Sequence, residues 1–234
     1  LKFMKLCIIP DIHGKPIWKK IIKNVAADKY IFLGDYFDSF NESERQYQIA
    51  NFYEIVDWSK NNDADLLIGN HEYHYLKGVS DRYSGYNHFM AIDIRDALED
   101  VINQNLIKLC VQYNNFVFVH AGITKTWCEN NQIDMSDMVN DLNRRFQEER
   151  HIFRFSPGEE QNAYGDETCQ SPIWVRPNSL EQDAVEGFTF VVGHTHFKEV
   201  NINSNVIYTD VLDSINQVLT IDTETNEISV VSWT

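Results

Sequence analysis

Nowhere in the 234 residues do apolar side chains run together for long. A helix needs roughly 18 to 20 of them to cross a bilayer, so no membrane partner is expected. The N-terminal run Leu6 to Ile9 is also too short for the apolar core of a signal peptide, and Asp11 follows at once; it reads as a first core strand. Cysteine is scarce: Cys7, Cys110, Cys128 and Cys169 are scattered without C-x-x-C spacing. That argues against a disulfide framework or a thiolate zinc site and favours a reduced, cytoplasmic setting. Basic residues are outnumbered 35 to 20, giving a formal net charge of -15. A long polyanion is repelled by such a surface, so extended nucleic-acid binding is not expected. Linkers rich in Pro, Gly or Ser are missing, as are repeats. The chain therefore reads as one domain, 1–234.

What is present is enough apolar material, 43% of residues, to build a core. Strands are expected at Lys5–Ile9, Tyr30–Leu33 and Asp65–Ile68, alternating with helices at Pro16–Val25, Glu44–Lys60 and Phe89–Asn103. A hairpin is expected from Leu106–Gln112 and Phe116–Val119, then helices at Thr124–Asn130 and Met135–Glu149 and an irregular stretch from Phe155 to Asn178. Strands Phe188–Val192, Val206–Thr209, Gln217–Asp222 and Glu227–Ser232 close the chain. The order implies an α/β (α+β) fold, with sheets packed face to face and helices outside.

Five apolar strands are each followed by a polar cluster: Asp11-Ile12-His13-Gly14, Gly34-Asp35-Tyr36-Phe37-Asp38, Gly69-Asn70-His71-Glu72, His120-Ala121-Gly122 and Gly193-His194-Thr195-His196. Sites on α/β sheets collect at the carboxyl ends of strands, so five such clusters can converge. Alone, the first reads equally well as a turn, the second more often as a turn than as a site, and a lone His120 as a satisfied core histidine. Together they offer carboxylates, one amide oxygen and several imidazoles. Such mixed donors suit Mn, Fe, Zn, Ni or Co, and a carboxylate shared between two ions suits attack on phosphorus.

The ordered series D-I-H-G, G-D-Y-F-D, G-N-H-E, V-H-A-G and G-H-T-H resembles the calcineurin-like metallophosphoesterase superfamily. G-N-H-E and Ile173-Trp174-Val175-Arg176-Pro177 are closest to its phosphoprotein phosphatase (PPP) branch, in particular the short bacterial and phage members. Tyr208-Thr209-Asp210 falls where that family has a late D-T-G motif. The resemblance implies a four-layer sandwich of two mixed β-sheets packed face to face with helices on both outer sides. It implies two divalent metal ions, manganese foremost. Asp11 and His13 would hold the first, Asp35 would bridge, and Asn70, His120 and His194 would hold the second. His196 matches a further ligand of the wider superfamily. His71, steered by Asp38, would protonate the leaving group, and Arg176 would grip the phosphoryl oxygens. In one place the sequence departs from the branch: Ser39-Phe40 follows Asp38, where the pattern continues with an arginine. Arg45 is the nearest substitute.

The expected activity is phosphomonoester hydrolysis by a dinuclear metal-activated hydroxide, on a phosphoprotein or a small phosphoester. The alternatives are a dinucleoside polyphosphate hydrolase or a phosphodiesterase and, in another class, a non-catalytic scaffold of the same fold. Blander readings apply to several residues. His74 and His88 read as structural or surface residues, Tyr73, Tyr75, Tyr83, Tyr86, Phe89 and Trp174 as packing, and Glu148-Glu149 and Glu159-Glu160 as solvated surface. Glu72 reads as support for its loop.

Overall fold

The computed structural model describes residues 3–158 and 164–233, so the Glu159-Glu160 pair and part of the expected irregular stretch lie outside the described residues. Strands β1 (Lys5–Ile9), β2 (Lys29–Phe32) and β3 (Ala64–Leu67) alternate with helices α1 (Trp18–Asn24), α2 (Glu42–Arg45) and α3 (Gln48–Asn61). Then come α4 (Asn70–Tyr73), α5 (Ala91–Asn103), β4 (Ile107–Lys108), β5 (Cys110–Tyr113) and β6 (Phe116–Val119). Helices α6 (Lys125–Asn130), α7 (Met138–Glu148) and α8 (Pro177–Asp183) lead to β7 (Thr189–Val192), β8 (Asn201–Ile202), β9 (Val206–Tyr208), β10 (Gln217–Asp222) and β11 (Ile228–Ser232).

The strands form two mixed sheets, ordered β11-β10-β1-β2-β3-β4 and β5-β6-β7-β9-β8. Alternation along each strand decides what packs where. Leu6, Ile8, Ile31, Leu33 and Leu67 of the first sheet meet Val111, Phe116, Phe118, Val191 and Ile207 of the second in one buried cluster. The intervening residues Cys7, Ile9, Phe32 and Leu66, with Val117, Val119, Phe190 and Val192, belong to the larger core that includes the helix residues. Helices α3 and α5 contact β3 and β4 of the first sheet, and α7 contacts β5 of the second. The sheets thus pack face to face with helices outside.

The structure differs from the sequence reading at several points. The strand expected over Leu106–Gln112 is split: Ile107 and Lys108 pair with β3 in one sheet, and Cys110 onward pairs with β6 in the other. The chain changes sheets at Leu109, where Asn143 of α7 accepts from the Leu109 and Cys110 amides (2.8 and 3.3 Å) and donates to the Cys110 carbonyl (2.8 Å). The helix expected over Glu44–Lys60 is two helices, the first opened by Asn41, whose side chain accepts from the Ser43 amide. A helix, α8, begins in the last two residues of the stretch read as irregular and runs on to Asp183, with Pro177 in its first turn. Phe89 does not pack: it is 99% exposed, just before α5.

A polar network ties the sheets at one edge. Asp65 of β3 accepts from Tyr113 Oη of β5 (2.7 Å) and from Lys108 Nζ (2.9 Å), and pairs with Lys29 at 3.3 Å. Burial pushes the Asp65 carboxyl up, but Tyr113, Lys108 and Lys29 together outweigh it and hold it below the ordinary carboxylate range. A depressed folded-state pKa stabilises above the unfolded value near pH 4, and that stability is lost as pH falls through the folded value. Asp65→Asn should therefore lower stability near neutral pH by about 1–2 kcal/mol, a melting-temperature drop of about 2–8 °C. In thermal unfolding the gap to the native protein should close below about pH 4.

Candidate metal centre and active site

Strands β1, β2 and β3 run parallel, as do β6, β7 and β9. Each releases a polar residue at its carboxyl end, in turn Asp11, Asp35, Asn70, His120, His194 and Asp210. The two sheets meet at this edge: His120 Nδ1 contacts the Leu33 carbonyl at 2.9 Å, and the His194 amide donates to Asp11 at 3.0 Å. Of the eight described non-glycine residues with positive φ, four are His13, Asp35, Asp38 and His194. Backbone held in this sparsely populated region marks sites that the surrounding structure over-determines. Here that structure includes Glu72, fully buried, which accepts from the amides of Asp35, Tyr36, Phe37 and Gly69 at 2.7–3.3 Å. Gly69 itself leaves no room for a side chain, since a Cβ there would run into Asp35 Oδ1. Glu72→Gln would turn an amide NH₂ on donors now satisfied by a carboxylate. The expected loss is about 1–3 kcal/mol, read as a melting-temperature drop of about 2–12 °C.

The donor set itself tests whether it fits metal ions. His13, His120 and His194 each commit one ring nitrogen to a main-chain carbonyl: Phe37 (2.9 Å), Leu33 (2.9 Å) and Trp174 (3.1 Å). A carbonyl only accepts, so that nitrogen carries the proton. Burial is the leading cause that lowers all three rings below the usual histidine range, which keeps them neutral. The second nitrogen of each then presents a lone pair, and it faces an oxygen. His13 Nε2 and His120 Nε2 lie 3.7 and 3.5 Å from Asp35 Oδ2, while His120 Nε2 and His194 Nδ1 lie 2.8 and 2.9 Å from Asn70 Oδ1. Lone pairs turned on a carboxylate need a cation between them, and imidazoles oriented by a second hydrogen bond are the usual ligands.

The carboxyls agree. Burial, then Asp210 and Asp35, push Asp11 well above the ordinary carboxylate range, and burial with Asp35 and Asp213 pushes Asp210 up to about 7. Burial also raises Asp35, but His120, His71 and His13 outweigh it and hold it low. Ligand atoms of Asp11, Asp35 and His120 lie within 4.8 Å of one another, as do those of His13, Asp35 and His71. Asp35 belongs to both groups. The residues present fit a pair of divalent cations.

His71 is held differently. Its Nδ1 pairs with Asp38 Oδ2 at 2.9 Å, and its amide donates to Asp35 Oδ1 at 3.0 Å. Burial opposes the charged ring, but Asp35 and Asp38 push it up to about 9. Asp38 also accepts from His74 Nε2 (2.7 Å) and from the Tyr75 hydroxyl. His74 is thus structural, as the sequence suggested, but within the site: its other nitrogen accepts from the Tyr83 amide, so it can only donate to Asp38. His88 is exposed.

Asp11, His13, Asp35, Asn70, His71 and His194 line a cleft of about 490 Å³ together with Lys15, Ser39, Phe40, Asn41, Glu44, Arg176, His196, Asp210 and Asp213. Arg176 is held by Thr195 Oγ1 (3.1 Å) and the carbonyls of His194 and Tyr164. Trp174 packs, with ring centroids 4.4 Å from Tyr83 and 5.2 Å from Phe155. His196 stands apart from the gathered donors: its Nε2 meets Ser214 Oγ at 2.9 Å, and Nδ1 is 3.9 Å from Asp210. Arg45 does not replace the missing arginine, since its Nε donates to the Ser39 carbonyl and the residue is not on the cleft wall. Sequence reasoning left out Asp210, Asp213 and Lys15, which pairs with Asp213. The signal for Asp210 was there: a polar residue just after the apolar strand Val206–Tyr208, the same pattern as at the other strand ends.

Solved structures share the fold. A cold-active protein-tyrosine phosphatase of a psychrophilic Shewanella superposes with a TM-score of 0.59 at 16% identity, covering 98% of this chain and 80% of that one. A protein serine/threonine phosphatase from Saccharomyces cerevisiae gives 0.54 at 14%, covering 98% and 80%. A metallophosphoesterase from Sphaerobacter thermophilus gives 0.54 at 14%, covering 98% and 87%. The curated proteins contain no significant match. The family profile for calcineurin-like phosphoesterases matches residues 4–198. That span takes in every strand end from Asp11 to His196, and so the chain belongs to the calcineurin-like phosphoesterase family.

Proposed function

We propose that this metal-dependent phosphoester hydrolase is a phosphomonoesterase, acting as one domain over 1–234. Its substrate is a phosphorylated protein or a small phosphoester, and its setting is the cytoplasm, which suits the buried thiols of Cys7, Cys110 and Cys128. The observation that carries the reading is the pair His71 and Asp38, 2.9 Å apart: Asp38 is buried, and His71 is on the wall of a cleft that also holds Asp35 and Arg176.

Asp11, His13, Asp35, Asn70, His120 and His194 are the side chains that hold two divalent cations in this reading. Such a pair, manganese first and Fe, Zn, Ni or Co with similar donors, supplies activation of the attacking water and neutralises phosphoryl charge. Arg176 grips the phosphoryl oxygens through its guanidinium fork. Asp38 accepts the Nδ1 proton of the cationic His71 ring, so the Nε2 proton is the one given to the leaving oxygen, which leaves the ring neutral. His196 is a further candidate ligand beside Asp210: its Nε2 meets Ser214, which leaves Nδ1, 3.9 Å from Asp210, to face the cleft.

Manganese-loaded protein should turn over p-nitrophenyl phosphate faster than bis-p-nitrophenyl phosphate or diadenosine tetraphosphate. Faster cleavage of either of the last two would replace this reading with a phosphodiesterase or a dinucleoside polyphosphate hydrolase.

A further inference from the structure

Phe40 sits in the mouth of the cleft with 73% of its surface in water. A single exposed phenylalanine means little by itself. Two observations set this one apart. Its ring centroid is 6.4 Å from that of His13, so it stands beside the donor cluster. The backbone on either side is tied down. Ser39 is buried, its Oγ donates to Glu44 Oε2 (2.8 Å) and accepts from the Asn41 amide (3.1 Å), and its carbonyl accepts from Arg45 Nε (2.9 Å). Asn41 in turn caps α2 through the Ser43 amide at 3.0 Å. Clamped flanks hold the ring out over the cleft, where a flexible loop would let it fold back onto the core.

We propose that Phe40 is a specificity-determining residue that stacks on an aromatic ring in the esterified group, so that the preferred substrates are phosphoesters with an aryl or heteroaryl ring. The inference rests on the phosphoesterase reading above and names its substrate class. The chemistry is elementary. A ring already exposed gains by covering its apolar face, and aromatic pairs gain further in offset or edge-to-face contact. An alkyl group offers the ring neither flat area nor a quadrupole.

The test compares wild type, Phe40→Ala and Phe40→Trp, all manganese-loaded, on phenyl phosphate, adenosine monophosphate and butyl phosphate. Only the ratio of variant to wild type counts, which cancels differences between leaving groups. Phe40→Ala should lower kcat/KM roughly tenfold on at least one aromatic ester, mainly through KM, and change butyl phosphate by less than about twofold. Phe40→Trp should restore the loss. A loss on phenyl phosphate alone identifies an aryl ester joined directly to phosphorus; a loss on adenosine monophosphate alone identifies a nucleotide. Calorimetric titration gives a second readout: phenylphosphonate should bind wild type roughly tenfold more tightly than methylphosphonate, and Phe40→Ala should erase the difference. Equal losses on butyl and aromatic esters, or none, overturn the proposal. If no ester is hydrolysed, the functional reading fails, and the phosphonate titration still decides the role of Phe40.

Discussion

His71→Ala should lower kcat on phosphomonoesters by about 10²–10⁴-fold, the range that a positioned general acid contributes. The geometry sets the direction. Asp38 holds Nδ1 at 2.9 Å and is itself fixed by His74 and Tyr75, so the ring cannot turn without breaking a buried network. A proton donor matters most when the departing oxygen is a poor leaving group. The loss should therefore be larger on an alkyl phosphate than on p-nitrophenyl phosphate, whose leaving group departs readily unprotonated. A uniform loss across leaving groups would mean that His71 binds substrate rather than protonating it. Asp38→Asn should follow the same trend with a smaller effect, since an amide oxygen can still accept from Nδ1 but carries no charge to favour the protonated ring. Steady-state kinetics with a series of leaving groups measures both.

The parts of the site that could be read in the sequence were those written locally. A strand that ends in a polar pair advertises itself within a few residues, and parallel strands carry such ends to one edge without further instruction. Asp11, Asp35, Asn70, His120 and His194 were legible on that basis. So was the support role of Glu72, now seen as four amide bonds to one carboxylate.

What stayed hidden depends on contacts between distant segments. The Asp38 network needs the chain to return after α4, so that His74 and Tyr75 meet a carboxylate more than thirty residues earlier. The break at Leu109 could not be seen because the apolar pattern continues through it. Only Asn143, from a helix still to come, satisfies the amides at the switch between sheets. Phe89 misled for the opposite reason: it fits the helix pattern that follows, but the helix starts at Ala91 and leaves the ring in water.

Asp35→Asn should abolish turnover and, with it, the stabilisation of the protein by divalent cations. Asp35 is shared by both groups of donors, 3.7 Å from His13 Nε2 and 3.5 Å from His120 Nε2. A ligand that binds only the folded state stabilises it by about 2.7 kcal/mol at a hundredfold excess over Kd, so manganese should raise the melting temperature of the native protein by about 5–11 °C. An amide has one acceptor oxygen and no charge, so it cannot serve two cations. The variant should hold at most one ion by elemental analysis, with little thermal shift. This is a test of binding, independent of any substrate. His71→Ala provides the contrast: its thermal shift should stay near the native value while its turnover falls. If Asp35→Asn retained two ions and the full shift, Asp35 would not bridge. If both variants lost the shift, His71 would belong to the donor set, and the division between holding metal and moving a proton would have to be redrawn.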